Sequence, residues 1–190
     1  MQESAERNGS PFDYPIRRAL NWGCAVVVAA TMLGCASSVK REDTASPPVA
    51  VDAAVSKYST LNLRLNDSAK KLLADNVKFN PDALKGTIQR LLAAKNLLVP
   101  DSPYQIDVEI TDIRVRSNFS AVMFGFLAGS DSVTGNVYVR GKDGNQFRKY
   151  EVSASYALGG LAGGQDETRM GWLYEEFAKL AVNELTGQNQ

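Results

Sequence analysis

Tyr104-Gln105-Ile106-Asp107-Val108-Glu109-Ile110-Thr111-Asp112-Ile113-Arg114-Val115 is the stretch that decides the fold. Tyr104, Ile106, Val108 and Ile110 alternate with polar residues, the period of a strand with one face buried. Ile113 and Val115 continue the apolar series with the opposite parity. A strand that simply ran on would turn these two side chains to water. A one-residue phase change therefore predicts a β-bulge near Thr111-Asp112, which returns them to the core side.

Working outward, Val133, Gly135, Val137 and Val139 predict the next strand, and Phe147 to Tyr156 the one after it. Gly141-Lys142-Asp143-Gly144 lies between them, and Asp-Gly is a strong hairpin signal. Upstream, Leu61, Leu63 and Leu65 alternate with Asn62 and Arg64 as a first strand. Asp67-Ser68 offers a cap for a short helix carrying Leu72 and Leu73. Asn80-Pro81 is a stronger start, since Asn caps well and Pro is tolerated at the first helical position. Leu84, Ile88, Leu91 and Leu92 give that helix one apolar stripe, and Asn96 can close it in the left-handed conformation. A last helix starts near Asp166, carries Leu173, Phe177, Leu180 and Ala181, and stops at Gly187. The order β-α-β-β-β-α predicts an α+β domain over 57–187. It is a two-layer sandwich of about four mostly antiparallel strands with two main helices on one face. Residues 188–190 are a tail.

The N-terminus reads as an export signal. Met1 to Asn21 is polar and carries Arg17-Arg18, and the small and apolar run Trp22 to Gly34 follows. That run is shorter than the roughly 20 apolar residues a membrane span needs and suits the apolar core of a signal peptide. The alternative is a core helix that happens to contain a cysteine; its position, the basic pair upstream and the Ser/Pro-rich stretch downstream oppose it. Arg17-Arg18-Ala19-Leu20-Asn21 matches a twin-arginine signal only in part, which favours plain Sec export.

Met32-Leu33-Gly34-Cys35 resembles the lipobox of bacterial lipoproteins. The resemblance implies cleavage after Gly34, acylation of Cys35 and anchoring in a membrane through more than one acyl chain. Ala36, rather than Asp, after the anchor implies the outer membrane. Residues 1–34 are then the signal peptide. Residues 35–56 are the lipidated cysteine and a tether with Lys40-Arg41-Glu42-Asp43 and Ser46-Pro47-Pro48. As a flexible chain the tether reaches about 25 Å.

Composition excludes several function classes. The chain has 190 residues, 21 Lys plus Arg against 21 Asp plus Glu, and no histidine. A zero balance speaks against a nucleic-acid partner, whose phosphates draw Lys and Arg. Without histidine there is no Ser-His or Cys-His nucleophile pair and no usual zinc or iron ligand. Of the two cysteines, Cys24 leaves with the signal peptide and Cys35 is consumed as the anchor. No metal and no cofactor are called for.

Asp107 and Glu109 share a strand face about 6.6 Å apart along the chain. Carboxylates at about that separation can serve as acid and base on a glycosidic bond, and Asp131 is a third candidate. The plainer reading is the solvated face of a half-buried sheet. Gly159-Gly160-Leu161-Ala162-Gly163-Gly164 lacks the Lys-Ser or Lys-Thr of a phosphate loop and the context of a dinucleotide fold. The remaining feature is Asn118 to Asp131, with Phe119, Val122, Met123, Phe124, Phe126 and Leu127. It is the most apolar stretch after the signal and follows neither the strand nor the helix period. Exposed, it marks a partner or membrane contact; otherwise it folds onto the core or extends the sheet. Gly159 and Gly160 cap the same end of the three-strand meander. Phe119, Met123, Phe124, Phe126, Leu127, Gly159 and Gly160 form the candidate recognition site.

The domain resembles an uncharacterised-domain family of bacterial envelope lipoproteins. The matching features are Leu61-Asn62-Leu63 with its following helix, Phe124-Gly125, the Gly135 hairpin and Ala157-Leu158-Gly159-Gly160. That family brings no known active site. The expectation is a periplasm-facing outer-membrane lipoprotein, held in the membrane through Cys35. It acts as a non-enzymatic accessory module that binds an envelope protein or lipid. The alternatives are a cell-wall glycan hydrolase and a purely structural envelope lipoprotein.

Overall fold

The computed structural model divides the chain into two units, Met1–Gly34 and Cys35–Gln190. It describes residues 37–41, 57–117, 129–157 and 166–188, all in the second unit. Five strands form one mixed sheet there: β1 Ser38–Arg41, β2 Leu61–Leu65, β3 Tyr104–Arg114, β4 Asp131–Gly141 and β5 Gln146–Tyr156. Three helices accompany them: α1 Asp67–Asp75, α2 Pro81–Ala94 and α3 Asp166–Leu185. The domain is α+β. The spatial order is β1-β5-β4-β3-β2, with β2 parallel to β3 and the other pairings antiparallel.

This layout departs from the sequence expectation in its strand count. The sheet has five strands rather than about four, because Ser38-Val39-Lys40-Arg41, inside the segment read as a tether, pairs with β5 from Ser38↔Ser153 to Arg41↔Tyr150. Val39 packs partly buried against the core, Lys40 lies 3.7 Å from Glu151, and Arg41 reaches Glu184. The short helix expected after Asp67-Ser68 is α1, and α1 and α2 both lie in the crossover that a parallel β2–β3 pair requires.

The elements start and stop for local reasons. The bulge is where the parity predicts it: the β3–β4 register shifts between Ile110 and Asp112. Ile106, Val108, Ile110 and Ile113 are therefore all buried. They lie opposite Val139, Val137, Gly135 and Val133. Asn80 caps α2, its Oδ1 accepting from Asp82 N at 2.9 Å and Ala83 N at 3.1 Å. Asn96, at φ 54°, ends it. The cap of α1 is Asn66, one residue before Asp67-Ser68; its Oδ1 accepts from Ala69 N at 2.8 Å. In the β4–β5 hairpin Gly144 sits at φ 85°, a value open to glycine at little cost.

The helices bury one face of the sheet. Leu84, Ile88 and Leu92 of α2 and Leu173, Phe177, Ala178, Ala181 and Val182 of α3 join the strand residues in one core. Fully burying an aromatic such as Phe177 contributes on the order of 1.5–3 kcal/mol. The other face is polar and open. There Asn62 Nδ2 donates to Asp107, Arg64 pairs with Glu109, Arg140 with Asp107, and Thr134 meets Ser153. None of the described helices is long and apolar enough to cross a membrane.

Candidate functional site

The end of the sheet formed by the C-termini of β3 and β5 and the N-terminus of β4 is built around three buried charges. Asp131 opens β4 and is fully buried. Its Oδ1 accepts from the backbone N of Arg116 at 2.7 Å, and its Oδ2 lies 3.1 Å from Arg116 Nη2. Arg169, in the first turn of α3, brings a second guanidinium. Its Nε lies 3.2 Å from Asp131 Oδ2, close enough for ion pairing but not aligned as a hydrogen bond. Its Nη2 donates to the Arg116 carbonyl at 3.0 Å. Asp166 extends the group, with Oδ1 3.4 Å from Arg169 Nη2 and Oδ2 paired with Lys78.

One carboxylate between two buried guanidiniums is costly to assemble, because each ion must leave water. What the arrangement supplies is position. Arg116 Nη1 donates to the carbonyls of Gly129 at 2.8 Å and Ala157 at 3.2 Å, and Nη2 to that of Tyr156 at 3.2 Å. Gly129 stands at φ 85°. A single side chain thus gathers the points where the chain leaves β3, enters β4 and leaves β5.

The sequence candidates relate to this end as follows. Phe119, Met123, Phe124, Phe126, Leu127, Gly159 and Gly160 lie outside the described residues, as does Cys35. Their flanking residues Ser117, Gly129, Ala157 and Asp166 are described, and the Arg116 cluster holds them at one end. Sequence reasoning misses Arg116 and Arg169. Charged residues beside apolar runs look like ordinary solvated positions, and only the fold shows that they are buried.

Asp107 and Glu109 do share the open sheet face, with each carboxylate engaged. Asp107 accepts from Asn62 at 2.9 Å and lies 3.4 Å from Arg140 Nε. Glu109 lies 3.2 Å from both Arg64 Nε and the Tyr138 hydroxyl. Burial raises the Tyr138 phenol, and the Glu109 charge and hydrogen bond raise it further. Asp131, the third carboxylate, is locked in the buried cluster. Among the described residues no group of His, Cys, Asp or Glu could hold a metal ion.

Two cavities flank the start of β1. One, of about 430 Å³, is lined by Ser37, Ser38, Val39, Arg41, Leu180 and Glu184. The other, of about 330 Å³, is more apolar and is lined by Ser155, Tyr156, Trp172, Glu175, Glu176 and Lys179. The rings of Tyr156 and Trp172 are 5.7 Å apart at their centroids and tilted by 48°. Ser37 Oγ accepts from Ser155 N at 3.1 Å, so β1 begins beside this second cavity.

Comparison with solved structures finds similar chains at low identity. A PelC dodecamer from Paraburkholderia phytofirmans is 9% identical with a TM-score of 0.44, over 78% of this chain and 97% of that one. A minor lipoprotein from Acinetobacter baumannii is 10% identical with a TM-score of 0.40, over 70% and 95%. The protein XCC0632 from Xanthomonas campestris, of family DUF330, is 11% identical with a TM-score of 0.37, over 82% and 92%. No curated protein matches the chain. A domain of unknown function, DUF4410, matches residues 36–160, from the residue after Cys35 through β5, and the chain belongs to that family.

Proposed function

We propose that this chain is an outer-membrane lipoprotein facing the periplasm. It is anchored by acylation of Cys35, and its domain is a non-enzymatic accessory module that binds another envelope component through the Arg116 end. The observation that carries the reading is the gathering of both candidate segments' bases by Arg116, on the end where the chain arrives from Cys35. A recognition surface assembled from loops on a rigid sheet is a common way for a small domain to bind. The hydrolase alternative draws no support from Asp107 and Glu109, which are bound to neighbours on an open sheet face.

The test has two parts. Cys35→Ser should abolish acylation and release the protein from the membrane fraction. Photocrosslinking in cells from position 124 of the lipidated protein should give a discrete protein or lipid adduct by mass spectrometry. An unacylated wild-type chain would overturn the anchoring, and the absence of any adduct would overturn recognition through this end.

A further inference from the structure

β1 changes how far the domain can stand from its anchor. With Ser37 bonded to Ser155 and Ser38 already in the sheet, only Ala36 and Ser37 separate Cys35 from the fold. Two extended residues span at most about 7 Å. The anchor therefore enters at one definite place, beside Ser155 and Tyr156.

The exposed large apolar side chains among the described residues are Val77, 81% exposed, and Trp172, 59% exposed. Single exposed apolar residues are ordinary on a soluble surface. These two are set apart by position. Trp172 leans on Tyr156, next to Ser155 and hence next to Ser37. Val77 follows Asn76, whose Oδ1 accepts from Val115 N at 2.7 Å, and precedes Lys78, which pairs with Asp166 at the start of α3. Both lie on the Arg116 end, one on the β5–α3 side and the other on the β3–α1 side. The opposite end, with Asp101 and the Asp143-Gly144 turn, carries no exposed large apolar residue among those described.

We propose that the Arg116 end is seated on the bilayer to which Cys35 is anchored, with Trp172 and Val77 in the lipid interface. This rests on acylation at Cys35 and names the lipid surface as the partner of that end. Tryptophan favours the headgroup level, where its ring is apolar and its N–H stays wet.

The mature chain provides its own probe. Trp22 leaves with the signal peptide, so Trp172 is its one tryptophan. Lipidated protein, its acyl groups confirmed by mass spectrometry, is reconstituted into phosphatidylethanolamine–phosphatidylglycerol vesicles with lipids brominated at different depths. Trp172 emission should shift to the blue and be quenched most by bromines about 5–10 Å below the headgroups. Val77→Trp in a Trp172→Phe background should be quenched in the same way, and Asp101→Trp in that background should not. Equal emission with brominated and plain lipids, from protein that carries its acyl chains, would overturn the proposal. So would quenching at position 101 as strong as at 172. A chain without acyl groups fails the anchoring reading instead, and the mass spectrum tells the two failures apart.

Discussion

Arg116 holds Asp131 twice, through its backbone N–H at 2.7 Å and its guanidinium at 3.1 Å. The same side chain then reaches three carbonyls at the bases of the neighbouring segments. Replacing Asp131 by Asn removes the one carboxylate shared by the two buried guanidiniums, with Asp166 still 3.4 Å from Arg169. Asp131→Asn should cost about 3–5 kcal/mol, the range for breaking a buried ion pair from one side. Urea unfolding measures it, and proteolysis should become faster in 118–128 and 158–165 before the rest of the domain is cut.

Arg41 and Glu184 tie the first strand to the end of the last helix, with Nε 2.6 Å from Oε1 and Nη2 3.1 Å from Oε2. The Glu184 hydrogen bond and charge raise the Arg41 guanidinium further. Arg41→Ala should free β1 locally rather than unfold the domain. Hydrogen exchange should quicken at 38–41 and at the facing amides of β5, while β3 and β4 keep their protection.

Alkali should unfold the domain through its tyrosines. Burial pushes Tyr58 up to about 12, raises Tyr174, and raises Tyr150 well above its usual value while its hydroxyl donates to the Ala181 carbonyl at 2.7 Å. A raised folded pKa means the native state holds the proton more tightly than the unfolded chain. That stability is complete below the unfolded value near 10 and is lost as pH climbs through the folded values. Tyr58 alone accounts for on the order of 2–3 kcal/mol. Denaturation midpoints should fall steeply between pH 10 and 12, and Tyr58→Phe should flatten the slope.

Glu109→Gln separates the binding and hydrolase readings. Its partners Arg64 and Tyr138 lie on the open face, where an ion pair contributes at most about 1 kcal/mol. The variant should fold, stay anchored and leave the envelope phenotype unchanged. Loss of function with intact thermal stability would restore the hydrolase.

Gly129 stands at φ 85° with its carbonyl on Arg116. A Cβ there would lie 3.1 Å from Arg114 Nη2, a flexible atom that can withdraw, so the remaining cost is the backbone's own. Gly129→Ala should destabilise by about 1–2 kcal/mol, read from the shift in urea midpoint.

The elements with their own local chemistry were legible in the sequence. Parity placed the bulge between Ile110 and Asp112, Asn80-Pro81 opened α2, Asn96 closed it, and Asp143-Gly144 turned the hairpin. β1 was not legible, because Val39 is its one apolar residue and its strand character comes from the edge of β5. The same holds for Arg116 and Arg169, and for the burial of Asp131. A charge reads as wet until three distant segments are seen to enclose it.

β1 begins three residues after Cys35, yet Ser37 meets Ser155, 118 positions further along. A chain exported from its N-terminus delivers β1 first and its partner strand near the end. The acylation proposed at Cys35 would therefore take place while β1 still has nothing to pair with. Closing so long a loop is slow relative to the local hairpin of β4 and β5. On the anchoring proposed above, the last strand to join the sheet would be the one nearest the lipid, so that completing the fold would also fix the distance between domain and membrane.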